Sequence, residues 1–181
     1  RAEHRLVLRE DNTLERLAEI AHSTGLLNEY DFEAAMRIIS ARSELLFRLK
    51  NTSLSPTSDV QAKLTKMGTP VLNKQIKIAD LLRRNEVNCL DLKVFEIDPG
   101  DDPFVYDPVE IEIKYEGYIV RQNEIVQQAV RLEELRIPSD MNFGSVKGLS
   151  AEEIEKLNSI RPRTLGQASR ISGVNPSAIQ S

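Results

Sequence analysis

The sequence predicts an all-α fold: a helical bundle, then a long helix, then a small C-terminal helical subdomain like a helix-turn-helix. Apolar residues recur at spacings of three and four along most of the 181 residues, which is the period of a helix buried on one face. Residues that cap helices precede several of these stretches, and glycine and proline separate them. We expect the bundle at residues 1–97, and the long helix with the subdomain at residues 106–181.

Two amphipathic helices open the bundle. An apolar stripe at residues 14–21 ends at Gly25, a residue that often follows the end of a helix. Asn28 and Asp31 then offer N-caps for a long helix. The inward residues of this helix are expected to be Phe32, Met36, Ile39, Leu46 and Leu49.

Loops separate the shorter elements in the middle of the chain. A loop at residues 53–58 precedes a helix that starts at about Asp59, and apolar residues indicate another helix at residues 76–82. The clearest break is the loop at residues 98–103, which is rich in aspartate, proline and glycine. It marks the expected boundary between the two parts.

The second part opens with an ambiguous pattern. Apolar residues alternate along residues 109–115, which alone would indicate a strand. The longer pattern steps by three and four, so we predict one helix from about Pro108 to Arg136. Ser150 and Glu153 form a capping box that opens the next helix.

A basic corner follows that helix. Residues 161–174 contain arginines but no acid, although the formal net charge of the chain is −4. The arginines are Arg161, Arg163 and Arg170. Thr164 and Gln167 form a capping-box pair for a short helix that Gly173 ends, and the Asn175-Pro176 pair opens a second one. Two helices joined by a short turn, with this charge, are typical of an element that meets a phosphate backbone.

Other charges are also segregated along the chain. Arg1, Arg5 and Arg9 recur every four residues, a further basic cluster lies at residues 37–50, and residues 96–112 contain acids without a base. Local patches decide where a polyanion binds. The alternative interpretation is that each run is a solvated helix face.

Residues 114–122 combine basic and aromatic side chains. Lys114 and Arg121 could contact phosphates while a tyrosine stacks on an unpaired base. Alternatively, the tyrosines belong to the core with their hydroxyls hydrogen-bonded at the bundle edge. We favour the core for Tyr115, and both interpretations stay open for Tyr118.

The sequence indicates binding rather than catalysis. It has no glycine-rich nucleotide loop, no Ser-His-Asp or Cys-His set and no histidine and cysteine spacing that suits zinc. A lone Cys89 fits a reducing cytosol, and no apolar run is long enough for a membrane span. Because the chain starts at Arg1 without an initiator methionine, we expect it to be a piece of a longer protein.

Several long motifs occur together in one order. They are residues 1–12, 81–84, 114–119, 132–138, 157–162 and 164–174. In these residues the chain resembles the C-terminal region of the GidA (MnmG) family, whose members are FAD-dependent enzymes that modify tRNA at the wobble uridine. The hallmark is Leu157-Asn158-Ser159-Ile160-Arg161-Pro162, which runs into Thr164-Leu165-Gly166-Gln167-Ala168-Ser169-Arg170-Ile171-Ser172-Gly173-Val174.

The resemblance implies a function for the whole protein. It would hold FAD in an N-terminal Rossmann-type domain, use NADH and act as a cytoplasmic homodimer. With the GTPase MnmE (TrmE) it would add a carboxymethylaminomethyl or aminomethyl group to C5 of the wobble uridine, taking the one-carbon unit from methylenetetrahydrofolate. This chain would carry no cofactor and would be non-catalytic alone, binding tRNA and the GTPase.

The residues expected to do this are basic or apolar. The candidate tRNA-binding residues are Arg1, Arg5, Arg9, Lys114, Arg121, Arg161, Arg163 and Arg170. The candidate partner-binding residues are Leu165, Ile171, Val174 and Ile179. An adaptor that docks the GTPase without tRNA contact is the main alternative. A DNA-binding helix-turn-helix is less favoured, because its second helix offers Ser177 and Gln180 but no arginine to read guanine.

Overall fold

The computed structural model describes residues 5–175, 177 and 179, and it divides the chain into two compact units, Arg1–Ile119 and Val120–Ser181. The all-α prediction is confirmed. The α-helices are α1 (Thr13–Ser23), α2 (Glu29–Asn51), α3 (Ser58–Lys66), α4 (Ile78–Leu82), α5 (Pro103–Glu134), α6 (Ala151–Ile160) and α7 (Leu165–Ser169). Short 3₁₀ helices cover Leu90–Phe95 and Phe143–Ser145.

Besides an isolated bridge between Arg136 and Thr164, the β structure of the described residues is one short antiparallel pair, β1 (Ser53–Leu54) with β2 (Ile76–Lys77). The sequence predicts a loop at β1 and a helix at β2, and both predictions are wrong at these residues. The reason is pairing between segments distant in sequence: Leu54 lies opposite Ile76, and the N–H of Ile78 donates to the carbonyl of Thr52 at 3.0 Å. Helix α4 therefore starts only at Ile78.

The core of the first unit is formed by the helices α2 to α5 and the first 3₁₀ helix. Its fully buried side chains include Leu49, Leu64, Ile78, Leu81, Leu82, Leu92 and Ile113. Of the five residues predicted to face inward on α2, Leu49 is buried and the other four are half-buried. In α1 the predicted stripe is only partly correct, because Ala18 is buried but Leu17 is exposed.

A buried arginine connects four parts of this unit. Arg42 is only 6% exposed, whereas the sequence analysis counted it in a surface cluster. Its Nη1 donates to the carbonyl of Asp11 at 2.9 Å and to Oε1 of Glu15 at 2.7 Å. Its Nε donates to the carbonyl of Phe104 at 2.7 Å. The segment before α1, α1 itself, α2 and the start of α5 thus share one side chain.

Helix α5 begins at Pro103, five residues before the predicted Pro108, and ends at Glu134 instead of Arg136. Pro108 lies inside the helix and has no N–H for the carbonyl of Phe104, four residues earlier. The guanidinium of Arg42 donates to that same carbonyl. A polar side chain from α2 therefore compensates for the hydrogen bond that proline removes.

The second unit has a small core of its own. Phe143, Leu157, Ala168 and Val174 are buried in it, and further apolar side chains pack against them. The further side chains are Ile137, Met141, Leu149, Ile154, Ile171 and Ile179. Pro176, with which the second helix of the basic corner was expected to open, lies outside the described residues.

The predicted capping box of α6 is confirmed. The N–H of Glu153 donates to Oγ of Ser150 at 3.3 Å, and Oε2 of Glu153 accepts from the N–H of Ser150 at 2.8 Å. Its Oε1 accepts from the N–H of Asn175 at 3.0 Å. These donors, the Asn175 N–H first, lower the pKa of Glu153 to about 2, and the residue is only 3% exposed. The carboxylate therefore anchors the end of the described chain to α6.

Within the part of the chain that the structure describes, no helix combines the length and the apolar character that crossing a membrane requires.

Replacing Arg42 with alanine is expected to lower the free energy of unfolding by about 2–4 kcal/mol, because two carbonyls and a carboxylate lose their donor inside the protein. Urea unfolding measures the change. Arg37→Ala on the same helix is the control, since Arg37 is exposed and lies 3.8 Å from Glu33; we expect a change within about 0.5 kcal/mol. Equal effects of the two variants would contradict this assignment.

The low pKa of Glu153 predicts how stability depends on pH. A folded-state pKa below the ordinary value stabilises the fold above the unfolded pKa, and this contribution is lost as pH falls through the folded value of about 2. Glu153→Gln should therefore flatten the loss of stability between about pH 5 and pH 2. The measurement is urea unfolding at several pH values, with Glu155→Gln as an exposed control on the same helix. Parallel pH profiles for wild type and Glu153→Gln would refute the prediction.

Candidate nucleic-acid interface

The basic corner of the second unit starts as the sequence predicts. Oγ1 of Thr164 caps α7 by accepting from the N–H of Gln167 at 3.1 Å. The return bond differs from a capping box, because Oε1 of Gln167 accepts from the N–H of Arg163 at 2.8 Å. Helix α7 ends at Ser169, and Gly173, with φ of +91°, lies in the turn beyond it. The start of the corner is thus fixed by hydrogen bonds from backbone N–H groups to the uncharged side chains of Thr164 and Gln167.

Arg161 holds this corner in place. It ends α6 in the left-handed conformation, with φ of 51°, and its N–H donates to the carbonyl of Leu157 at 2.9 Å. Its Nη1 donates to the carbonyl of Met141 at 2.9 Å, and its guanidinium carbon lies 5.6 Å from the ring centroid of Phe143. Although Arg161 is exposed, its donors are used partly within the fold.

Arg170 forms an ion pair with Glu133 of α5. This bond is the largest cause that lowers the pKa of the Glu133 carboxyl, which also accepts from Oγ1 of Thr164 at 3.1 Å. Gly166 leaves room for the carboxylate: a Cβ there would lie 2.5 Å from its Cδ. The charge of Arg170 is therefore compensated, although 66% of its side chain is exposed.

Two of the candidate arginines in this unit present free charges. Arg163 uses its backbone within the fold, where its carbonyl accepts from the N–H of Ile137 at 2.9 Å, and its side chain is exposed. Arg121 is exposed on α5. No acid among the described residues forms an ion pair with either guanidinium. They are the candidate cations best able to bind a phosphate.

The structure adds cations that the sequence analysis did not single out. Arg131, Arg136 and Lys147 are exposed, and none of them pairs with an acid in the described ranges. In the sequence, the acids Glu133 and Glu134 lie between Arg131 and Arg136, so these two arginines do not stand out as a basic cluster. Only the ion pair of Glu133 with Arg170 shows that one of these acids is engaged elsewhere.

The candidate cations of the first unit are mostly compensated. Nε of Arg9 lies 2.9 Å from Oδ1 of Asp11, and its side chain is largely buried. Nζ of Lys114 lies 2.8 Å from Oε1 of Glu110, one turn earlier on α5. Arg5 is exposed, and Arg1 lies outside the described residues. Arg9 and Lys114 are therefore paired rather than free for a phosphate.

Two tyrosines of α5 form an exposed aromatic pair in the first unit. Tyr115 is 47% exposed and Tyr118 is 62% exposed. Their ring centroids lie 6.4 Å apart, with the planes tilted by 50°. The core position favoured for Tyr115 is thus wrong, because the residue is exposed. Both rings are accessible to a planar ligand.

The candidate partner-binding residues lie mainly in the small core. Val174 is buried, Ile171 and Ile179 pack against the same cluster, and Leu165 is half-buried. They stabilise the second unit rather than form an open docking face. The large apolar side chains that this unit does expose are Val120, Ile125, Val130, Leu135 and Ile160.

The described residues include neither a cluster suited to a metal ion nor the strands of a Rossmann-type fold. No group of three or more histidine, cysteine or acidic side chains among them could hold a metal ion. Strands of two residues do not fit the βαβ unit on which a Rossmann-type FAD site depends. Burial, with the charges of Glu110 and Asp107, raises the pKa of the Cys89 thiol to about 12, so this group is no nucleophile at neutral pH.

Comparisons with known proteins agree with the division into helical parts. Residues 29–123 match the family described as tRNA modifying enzyme MnmG/GidA C-terminal helical domain. Residues 125–181 match the family described as tRNA modifying enzyme MnmG/GidA C-terminal helical bundle.

Similar curated proteins are longer than this chain. The tRNA uridine 5-carboxymethylaminomethyl modification enzyme MnmG of Bdellovibrio bacteriovorus is 51% identical over 182 residues, which cover 99% of the chain and 28% of that protein. The enzyme of the same name from Listeria innocua is 44% identical, over 99% of the chain and 29% of that protein. A crystal structure of Aquifex aeolicus GidA superimposes with a TM-score of 0.67 at 32% identity, over 99% of the chain and 28% of that structure. The chain therefore spans less than a third of these relatives.

Two glycine substitutions test the contact between Glu133 and the basic corner. Gly166→Ala would displace the Glu133 carboxylate and weaken its bonds to Thr164 and Arg170, so we expect a net loss of stability although alanine favours a helix. Gly117→Ala is the control, because a Cβ there meets no atom within 4 Å and alanine favours a helix by about 0.5–1 kcal/mol. Thermal unfolding should shift in opposite directions. A stabilised Gly166→Ala variant would contradict the contact.

Proposed function

Since this chain belongs to the MnmG/GidA family and is its C-terminal helical region, we propose that it is the non-catalytic tRNA-binding module of an enzyme that modifies the wobble uridine of tRNA. The observation that carries the proposal is the set of exposed cations without acid partners in the second unit, on a chain of formal net charge −4. Arg121 and Arg163 are its central members. Cations of this kind gain affinity for RNA by releasing the counterions that surround phosphates.

The other candidate residues take different roles in this proposal. Arg161 and Arg170 position the basic corner, since their guanidinium groups are bonded within the unit. Arg9 and Lys114 are structural ion-pair members. In the first unit, Arg5 is the exposed candidate cation. The phosphate contacts proposed for the second unit are therefore Arg121 and Arg163, extended by Arg131, Arg136 and Lys147.

The exposed tyrosine pair supports contact with unpaired bases. Aromatic side chains bind single-stranded RNA by stacking, which is worth about 1–3 kcal/mol per base and tolerates any sequence. A wobble uridine lies in the anticodon loop, where bases are unpaired. We propose that Tyr115 and Tyr118 accept such a base, while the arginines of the second unit contact phosphates.

The full-length enzyme would supply what this chain lacks. The names of the relatives support a reaction that places a carboxymethylaminomethyl group on a uridine. We propose that FAD and NADH bind outside this chain, that the enzyme is a cytoplasmic homodimer, and that MnmE is its GTPase partner. The group would be added at C5 of the wobble uridine.

A protein-docking function is the second candidate. It is favoured by the exposed apolar side chains of the second unit, among them Ile125, Val130 and Leu135, which suit a protein surface better than a phosphate. In this function the chain is an adaptor that docks the GTPase without touching tRNA. Capture of purified MnmE by the full-length enzyme in the absence of tRNA, lost on Ile125→Ser with Val130→Ser, would favour it.

The double variant Arg121→Ala with Arg163→Ala tests the tRNA-binding proposal in the full-length enzyme. We expect weaker tRNA binding and a salt slope, the change of log K with log salt, that is smaller by about 1.4–1.8, since each phosphate contact contributes about 0.7–0.9. Fluorescence anisotropy with labelled tRNA between 50 and 200 mM salt is the measurement. Arg37→Ala controls for the loss of an exposed charge. An unchanged affinity and slope would reject the proposal.

A further inference from the structure

A second basic surface lies in the first unit, far from the corner in sequence. Residues 60–84 contain six basic residues against one acid, Asp80. The basic residues are Lys63, Lys66, Lys74, Lys77, Arg83 and Arg84. We infer that the segment from Lys66 to Lys77, here called the lysine loop, binds the phosphate backbone of RNA. This inference rests on the proposed function and adds a separate phosphate contact to it.

Ion pairing leaves the lysine loop with uncompensated charge. Lys63 pairs with Asp59 at 2.7 Å, and Arg83 pairs with Asp80 and Glu116, so these cations are neutralised. The cations that no described acid pairs with are Lys66, Lys74, Lys77 and Arg84. Four positive charges thus remain within 19 residues of sequence, on a chain with an excess of acids.

Uncharged oxygens hold two of these cations without removing their charge. Nζ of Lys77 donates to the carbonyl of Asn51 at 2.9 Å. Nη1 of Arg84 donates to Oγ1 of Thr69 at 2.9 Å and also to the carbonyl of Pro70. Lys66, the last residue of α3, and Lys74, in the segment that follows, are both exposed. These two lysines therefore add to the positive charge of a segment in which Lys77 and Arg84 keep theirs.

The loop has a fixed conformation before any ligand arrives. The amide of Gln61 clamps Leu72: its Nε2 donates to the Leu72 carbonyl at 2.6 Å, and its Oε1 accepts from the Leu72 N–H at 2.9 Å. Leu72 and Thr69 are buried, and Lys77 is paired with Ser53 in the strand pair. A preorganised loop loses less conformational entropy on binding than a flexible one.

The composition of the loop identifies the ligand class as phosphate rather than base. Residues 60–84 contain no aromatic side chain, so they offer no platform on which a base could stack. Lysines bind phosphate as point charges without reading sequence. The exposed amides of Asn73 and Gln75 add donors for phosphate oxygens and 2′-hydroxyls. Together they suit the backbone of a folded RNA.

The test uses the double variant Lys66→Ala with Lys74→Ala in the full-length enzyme. Losing two contacts should reduce the salt slope of tRNA binding by about 1.4–1.8, so the loss of affinity from 50 to 200 mM salt becomes roughly tenfold smaller than in wild type. The control is Arg37→Ala with Lys93→Ala, which removes the same charge from the same unit at two acid-paired cations. We expect the control slope to match wild type, and Lys66→Arg with Lys74→Arg to retain it.

The outcomes separate this inference from the proposed function. If Lys66→Ala with Lys74→Ala keeps the wild-type slope while Arg121→Ala with Arg163→Ala reduces it, the lysine loop is not an RNA contact and the proposed function stands. If neither variant changes the slope, both are overturned. If the lysine variant weakens only the capture of purified MnmE, the loop meets an acidic protein surface and the inference fails. Equal slopes in the lysine variant and its charge-matched control would also overturn it.

Discussion

The first unit depends on one buried guanidinium. Arg42 donates to the carbonyls of Asp11 and Phe104 and to the carboxylate of Glu15, and its partners come from three different segments. Pro108 removes the helical N–H that the Phe104 carbonyl would otherwise accept, so the fold needs a donor at this place. A buried arginine with three acceptors orients α1 and the start of α5 against α2. The apolar core therefore packs between helices whose arrangement the hydrogen bonds of Arg42 help to fix.

Ion pairing divides the cations of this chain into two classes. Arg9, Lys114 and Arg170 each meet a carboxylate, and Glu116 accepts from Lys50 and Arg83 together, which lowers the pKa of its carboxyl. Acids within the fold therefore neutralise these cations. Arg121 and Arg163 in one unit, and Lys66 and Lys74 in the other, meet no described acid. A net charge of −4 is therefore compatible with two groups of unpaired cations, which we propose as the contacts for a polyanion.

The elements that the sequence predicts well are those whose signals are local. The capping box of Ser150 with Glu153 and the cap of α7 at Thr164 depend on residues three positions apart, and both occur in the structure. The length of α5 was predicted to within five residues at its start and two at its end, because its apolar period is sustained. Motif order along the chain sufficed to recognise the family, which the matching family models confirm.

The features that escaped prediction depend on partners distant in sequence. Arg42 contacts residues 31 and 62 positions away, so its burial could not be read from neighbouring charges. The pairing of β1 with β2 joins residues more than twenty positions apart. Strands of two residues are too short to show an alternation of apolar and polar residues in the sequence. Tyr115 lies on the period of the α5 stripe, yet the residue is exposed. Whether a cation is free or paired likewise depends on ion pairs between residues that are distant in sequence.

The raised pKa of Cys89 has a practical consequence for spectroscopy. Because its thiol stays protonated at neutral pH and lies in the core, it reacts poorly with maleimide reagents. As it is the single cysteine of the chain, a fluorophore directed to a cysteine introduced on the surface would label that position and leave the interior unmodified. Distances between this region and a bound molecule thus become measurable without first removing the natural thiol.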